Sequence, residues 1–294
     1  TQDSSSAASD VYKRQGGKSR AIKFLSQHLP EIESYREPFL GGGSMALYVT
    51  QTYPNTDVWV NDLYYPLYAF WMTLRDHGQQ LCDDLRELKT ELGESYDAHK
   101  RAFDDAKDKL NNDLYESGFN FYVANKCSFS GLTANSSFSK QASRANFTFR
   151  GIDKLPALSE LIQGWRITNH SYEEMLYGRN AFVFLDPPYA IKDNLYGNKG
   201  DMHKSFDHEW FAAQACASDN KCMITYNSEL FIKDRFPDWY QKDWDLTYTM
   251  RSSGTYTKDQ KKRKELLLLN YEQQQTSLIG LFEDNQRDKA ELTG

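Results

Sequence analysis

Apolar positions along the chain recur with two different periods. Ile22, Leu25 and Leu29 fall at helical spacing across residues 19–29, and Pro30 ends the run, which predicts an amphipathic helix. Residues 35–40 then read as a short strand, followed by Gly41-Gly42-Gly43-Ser44 and a helix from Met45. Residues 57–61 (DVWVN) make a second strand that ends at Asp62, with a helix around residues 66–75 after it. Residues 166–169, 182–185 and 222–226 are three further buried strands. The last two are nearly continuous apolar runs, as strands covered on both faces must be. Two late strands fall near residues 244–250 and 265–271. Strands alternating with helices predict an open α/β sheet.

Charge divides the chain further. Net charge over 294 residues is −6, which by itself argues against a nucleic-acid binder, because neutralising phosphates needs Lys and Arg. The acidity is local, however. Residues 82–116 hold eleven acidic and six basic side chains at helical spacing, with Gly93 the single glycine, and read as an inserted helical block. Residues 117–154 invert the balance, with Lys126, Lys140, Arg144, Arg150 and Lys154 against Asp153. That stretch is rich in Ser, Asn, Phe and Gly, as a loop or β-hairpin surface is. Residues 251–264 form a second basic run, six basic side chains against Asp259.

Several classes drop out. No apolar run approaches the ~18 residues of a membrane span, so a cytoplasmic protein is expected. Cys82, Cys127, Cys216 and Cys222 form no CxxC pair and read as reduced thiols. The six histidines show no ligand spacing, so no metal is expected. Residues 1–15 are Ser/Ala-rich without the apolar centre of a signal peptide, and read as a disordered or artefactual tail outside the fold.

Two turns carry the chemistry. Glu37-Pro38-Phe39-Leu40-Gly41-Gly42-Gly43-Ser44 is a strand–glycine loop–helix turn, in which glycines let the backbone reverse and a ligand approach closely. It matches neither GxGxxG nor a P-loop. Asp62, about 20 residues on and at the end of the next strand, suits a ribose diol, whose hydroxyls a carboxylate accepts. A cap on the following helix explains Asp62 equally well. Asp186-Pro187-Pro188-Tyr189 follows the apolar run Phe182–Leu185 directly. Two prolines cannot extend a central strand, so the chain leaves the sheet at its carboxyl edge, where open α/β sheets bind ligands.

These pieces together resemble the Dam-type DNA adenine-N6 methyltransferases, which use S-adenosylmethionine. The matching segments, in order, are Gly16-Gly17-Lys18-Ser19, the Glu37–Ser44 turn, Asn61-Asp62, residues 125–132, the Asp186–Tyr189 turn, and Arg263-Lys264-Glu265-Leu266 running into Asn270. The resemblance implies a doubly wound, Rossmann-like methyltransferase sheet with an inserted helical and β-hairpin DNA-recognition domain. Residues 16–76 and 165–271 would then form the catalytic domain, 77–164 the target-recognition insert, and 272–294 a C-terminal tail, in a chain acting as a monomer. Asp186, Pro187, Pro188 and Tyr189 take the catalytic positions. Lys18, Glu37, Phe39, Gly41, Asp62, Ser171 and Asp186 take the cofactor positions. The chemistry agrees, because the Asp186 carboxylate and the Pro187 carbonyl can accept both N–H hydrogens of an adenine amine and localise its lone pair. Tyr189 can stack on a base flipped out of the duplex. The Asp-Pro-Pro-Tyr turn alone also allows RNA adenine, DNA cytosine-N4 or a non-catalytic DNA-binding relative. A dinucleotide oxidoreductase lacks its fingerprint and leaves that turn unexplained.

In the recognition segment, the resemblance assigns DNA contacts to Lys126, Phe129, Ser130, Leu132, Lys140, Arg144 and Arg150. Phe129 and Leu132 can fill the gap left by a flipped base. Ala134 stands where GATC-specific relatives carry a guanine-reading Arg, which argues against GATC specificity unless Lys140, Arg144 or Arg150 substitutes. The basic run before the last strand is expected to face DNA phosphates. Gln275, Leu278, Leu281 and Phe282 resemble a terminal peptide that docks on a sliding clamp.

Overall fold

The computed structural model describes residues 18–129, 136–189, 206–246 and 263–272. The expectations placed on residues 1–17, on Ser130, Leu132 and Ala134, on the basic residues 251–262 and on the clamp-like segment at 275–282 lie outside the described residues. Helix α1 (Lys18–Leu25) precedes strand β1 (Ser34–Glu37), helix α2 (Ser44–Thr52) and strand β2 (Asp57–Asn61). A long helix α3 (Tyr65–Leu92) then leads through α4 (Tyr96–Asp108), α5 (Leu114–Cys127), α6 (Lys140–Ala145), α7 (Phe149–Ile152) and α8 (Leu155–Leu161). The sheet resumes with β3 (Arg166–Thr168), β4 (Phe182–Leu185), α9 (His208–Cys216), β5 (Lys221–Asn227), α10 (Leu230–Lys233), β6 (Tyr240–Leu246) and β7 (Arg263–Leu269).

The seven strands form one sheet in the order β3-β2-β1-β4-β5-β7-β6. All pairings are parallel except those of β7, which runs antiparallel between β5 and β6. The open α/β sheet expected from the alternating pattern is present. Strand order reverses between β1 and β4, which pair directly through Tyr35 with Phe182 and Arg36 with Val183. The carboxyl ends of those two strands therefore open one crevice, the switch point of a doubly wound sheet. All four residues of β4 are buried, in keeping with its uninterrupted apolar run.

The edge of that crevice is fixed by Asn61, 1% exposed at the end of β2. Its amide nitrogen donates to the carbonyls of Pro38 (3.1 Å) and His170 (3.0 Å). Its amide oxygen accepts from the His170 backbone N–H (2.8 Å) and the Thr168 hydroxyl (2.9 Å). Both donors and both acceptor positions are used, so one side chain ties the ends of β1, β2 and β3.

Residues between the two halves of the sheet are more helical than the basic, Ser/Asn-rich composition of 117–154 suggested. Among the described residues, helix α5 runs to Cys127, one bridge pairs Ser128 with Phe138, and three short helices follow. The polar residues read as loop are largely helix caps. Asp113, Ser139 and Thr148 each accept the backbone N–H three residues on, from Glu116, Ala142 and Gly151. Gly118 lets α5 cross α3 closely, since a Cβ there would lie 2.5 Å from the Thr73 hydroxyl. Helix α3 departs from helical geometry at His77 (φ −135°, ψ 32°).

The late strands also start earlier than expected. Strand β6 is described over Tyr240–Leu246 and begins before residue 244, because this edge strand is polar (YQKDWDL) and carries no apolar run; residues 247–250 lie outside the described residues. Substituting Asn61 with Ala strips four partners of their hydrogen bonds, two of them backbone carbonyls. Unsatisfied buried groups cost about 1–3 kcal/mol each, with relaxation recovering part, so Asn61→Ala is expected to lose about 2–4 kcal/mol in urea unfolding at pH 7.

Candidate active site

The glycine turn after β1 is held from three sides. Gly41 and Gly43 adopt positive φ (49° and 64°), a conformation that favours glycine. A Cβ at Gly43 would also meet the Trp71 ring at 2.9 Å. Trp71 itself donates its indole N–H to the Gly41 carbonyl (3.1 Å). Glu37, buried at the end of β1, accepts from the Tyr35 hydroxyl (2.7 Å) and the Ala46 N–H (2.9 Å), tying the turn to α2. Asp62 closes the third side, accepting from the N–H groups of Gly41 and Tyr64, both at 2.9 Å. Asp62 does not cap the following helix, whose N-cap is Tyr64 without a side-chain cap bond; its carboxylate holds the loop before that helix and the glycine turn. Two bonds leave carboxylate lone pairs for hydroxyl donors. Burial pushes the Asp62 carboxyl above its ordinary value, while the two backbone N–H groups pull it down.

Across the switch point, Asp186 accepts from the Thr225 hydroxyl of β5 (2.9 Å). Tyr189 donates to Glu265 of β7 (2.8 Å), and its ring lies 5.9 Å from Tyr226 at 27°. Glu265 is 2% exposed. Behind them the Tyr226 hydroxyl is hydrogen-bonded to His208 Nδ1. The expected catalytic turn therefore has three supports on β5 and β7: Thr225, Tyr226 and Glu265. Two of them, Thr225 and Tyr226, were hidden in an apolar strand, where no sequence signal separates them from core.

One cavity joins the two turns. It is bounded by Ile22 and Leu25 of α1, by Glu37, Leu40 and residues 42–45 of the glycine turn, and by Asp186, Tyr189, Trp244 and Glu265. Three carboxylates face it, and among the described residues no basic side chain does. An acidic cavity next to an open glycine turn fits a ligand carrying net positive charge, as a sulfonium with an α-amino group does. Phe39 stands beside it in an aromatic group, 5.3 Å from Tyr172, 5.8 Å from Phe206 and 6.0 Å from Phe211. Ser171 is exposed at the end of that group and donates to Glu173. The side chain of Lys18 lies outside the described residues. Phe206 was not singled out for this site by the sequence.

The expected DNA-contact residues fall on the helical segment. Phe129 is 66% exposed beside the Ser128–Phe138 bridge. Lys140 and Arg144 are exposed on α6 and Arg150 on α7. Lys126 is half-buried in the last turn of α5, its ammonium 5.3 Å from the Tyr122 ring centroid, and burial lowers its pKa. Among the described residues no group of three or more His, Cys, Asp or Glu is arranged to hold a metal, and no helix is long and apolar enough to cross a membrane.

A family model described as "D12 class N6 adenine-specific DNA methyltransferase" matches residues 15–263, and the chain belongs to that family. The chain is similar to the Type II methyltransferase M.MjaIII of Methanocaldococcus jannaschii, with 25% identity over 192 residues. That match covers 59% of this chain and 66% of the relative, just under two thirds of its length.

His208 provides a test of the packing behind Tyr189. Burial and the nearby Arg235 guanidinium lower its pKa from 6.5. The unfolded chain then binds the proton more readily than the folded one. His208 therefore contributes stability that is complete above pH 6.5 and is lost as pH falls through the folded value. Thermal unfolding between pH 7.5 and 5 is expected to show a falling Tm whose slope is reduced in His208→Phe.

Proposed function

We propose that this member of the D12 class family transfers a methyl group from S-adenosylmethionine to the N6 amine of a flipped adenine at specific sites in duplex DNA. The observation that carries this reading is the meeting, at the β1/β4 switch point, of a glycine turn and an Asp-Pro-Pro-Tyr turn across an acidic cavity. Glu37, Phe39, Gly41, Asp62 and Ser171 are the residues assigned to the methyl donor, with Lys18 joining them from α1. Asp62 would accept the ribose hydroxyls, and Phe39 with Tyr172 would flank the donor's adenine. The donor supplies an electrophilic methyl group on a positively charged sulfur, which the carboxylates of the cavity favour.

The remaining work falls to the chain's own groups. The Asp186 carboxylate and the Pro187 carbonyl accept the two N–H hydrogens of the target amine, pulling its nitrogen toward tetrahedral geometry. Thr225 fixes the rotamer of Asp186 by its hydrogen bond. Pro188 holds the turn in the conformation that aims the carbonyl of Pro187. Tyr189 lies against Tyr226 on one face, so the flipped base would use the opposite face. The bond to Glu265 keeps that ring from swinging away. Residues 77–164 would supply target recognition, with Phe129 entering the stack and Lys126, Ser130, Leu132, Lys140, Arg144 and Arg150 meeting DNA.

Incubation with labelled methyl donor and duplex DNA tests the reading, followed by nucleoside analysis. Label is expected in N6-methyladenine, and Asp186→Ala is expected to reduce the rate by at least about 10³-fold. Label confined to cytosine or RNA, or no label with the wild type, would overturn it. Glu265→Ala is expected to lower kcat about tenfold, since stacking is worth roughly 1–3 kcal/mol and only part is lost, and to raise the KM for the methyl donor, because one of the three carboxylates facing the cavity is removed. Glu265→Gln, which keeps an acceptor for the Tyr189 hydroxyl, should restore most of the rate.

A further inference from the structure

We infer that a second cavity, in the helical segment and remote in sequence from the catalytic turns, is built to hold one phosphate of the DNA backbone. The inference rests on the DNA methyltransferase reading. The cavity has a volume of about 260 Å³ and is lined by Lys89 of α3, Tyr96 and His99 of α4, and Lys140, Ser143 and Arg144 of α6. Glu94 is the one carboxylate on its wall. Three permanent cations thus face one acid. Elsewhere the cations of this segment find partners: Lys100 pairs with Asp104, Arg86 with Asp153 and Lys109 with Glu116. Among the described residues Lys89, Lys140 and Arg144 form no ion pair. A cavity whose cations are left without acids is set for an external anion.

The lysines are held without being neutralised. His99 is 4% exposed, and its Nδ1 lies 2.8 Å from the Ser95 carbonyl, which can only accept. Nδ1 must therefore carry the proton, and Nε2, 3.0 Å from Lys89 Nζ, accepts from the ammonium. One of the three Lys89 donors is used, which leaves two for a ligand. The same ammonium lies 5.4 Å from the Phe147 ring, and that of Lys140 lies 5.4 Å from the Tyr96 ring. Aromatic faces steady a cation and keep its charge available.

Position points to DNA as the source of the anion. Tyr96 packs 5.4 Å from Phe138, which is bridged to Ser128. The Phe129 N–H bonds the Ser137 carbonyl (3.1 Å) and the Ser139 N–H bonds the Cys127 carbonyl (2.9 Å). The cavity is thus seated beside the base of the arm that displays Phe129. A side chain entering the base stack at Phe129 would bring the neighbouring backbone phosphates to this wall.

The test is the salt dependence of binding to a fluorescein-labelled DNA duplex, read by anisotropy between about 50 and 200 mM salt. Each neutralised phosphate contributes about 0.9 to the slope of log K against log salt. Lys140→Gln and Arg144→Gln are each expected to lower the slope by about one or less, and the double variant by about one and no more, because both side chains serve one phosphate. Lys100→Gln, a paired lysine on the same segment, should leave it unchanged. A double variant whose slope is unchanged, or falls by about two, overturns the inference. So does calorimetry in which inorganic phosphate binds the wild type but not the double variant while the DNA slope stays the same, since that marks a free-anion site. If the wild type methylates DNA and the variants keep its slope, the phosphate site alone fails. If the wild type binds no duplex, the function fails with it.

Discussion

The arrangement of this molecule depends on the four hydrogen bonds of Asn61 at the carboxyl edge of the sheet. A parallel sheet ends there in backbone groups that no further strand can satisfy, and each needs another partner. Asn61 supplies them for Pro38 after β1 and for His170 after β3, with Thr168 as a third anchor. The next residue, Asp62, is thereby placed to hold Gly41, and Asn169 donates to the carbonyls of Asp62 and Leu63. The binding turn is preorganised by bonds to backbone, so its shape does not wait for a ligand.

The same logic runs on the opposite side of the switch point with side chains in place of backbone. Thr225, Tyr226 and Glu265 lie on strands β5 and β7, whose register brings Tyr226 opposite Leu266 and Asn227 opposite Glu265. A rigid antiparallel pair thus carries the groups that orient Asp186 and Tyr189. The Asp-Pro-Pro-Tyr turn itself, two prolines leaving a buried strand, has little freedom of its own. Placing the supports on strands and the acceptors on a stiff turn suits a reaction that needs positioning more than covalent chemistry.

Much of this was legible in the chain because turns impose composition. Glycines at positive φ and a proline pair after a buried strand are demanded by geometry, and both stood out, as did the boundaries of β2 and β4. The helical character of residues 117–154 did not. Ser139 and Thr148 look like loop residues by composition, and only their bonds to Ala142 and Gly151 reveal them as caps. The start of strand β6 was placed too late for a related reason: an edge strand needs no apolar run. Asn61 stood out only as part of the Asn61-Asp62 match, and its role as a tie did not, since that role lies in partners more than 100 residues away, in and just after β3.

Net charge over the whole chain proved the least informative quantity, because the acid and the base serve different sites. Carboxylates line the cavity at the switch point, and unneutralised cations gather around Lys89. Helix α3 connects the two. Trp71 on this helix bonds the Gly41 carbonyl, and Lys89 stands eighteen residues further along, up to about 27 Å away at 1.5 Å per residue. Between them the helix breaks its geometry at His77, with Gly78 packed so closely on α8 that a Cβ would lie 2.3 Å from that of Ser159. The contact locks the bend in place. A single bent helix, fixed at its kink, therefore sets the distance between the glycine turn and the basic cavity. Any anion held at Lys89 is thereby held at a defined distance from the glycine turn.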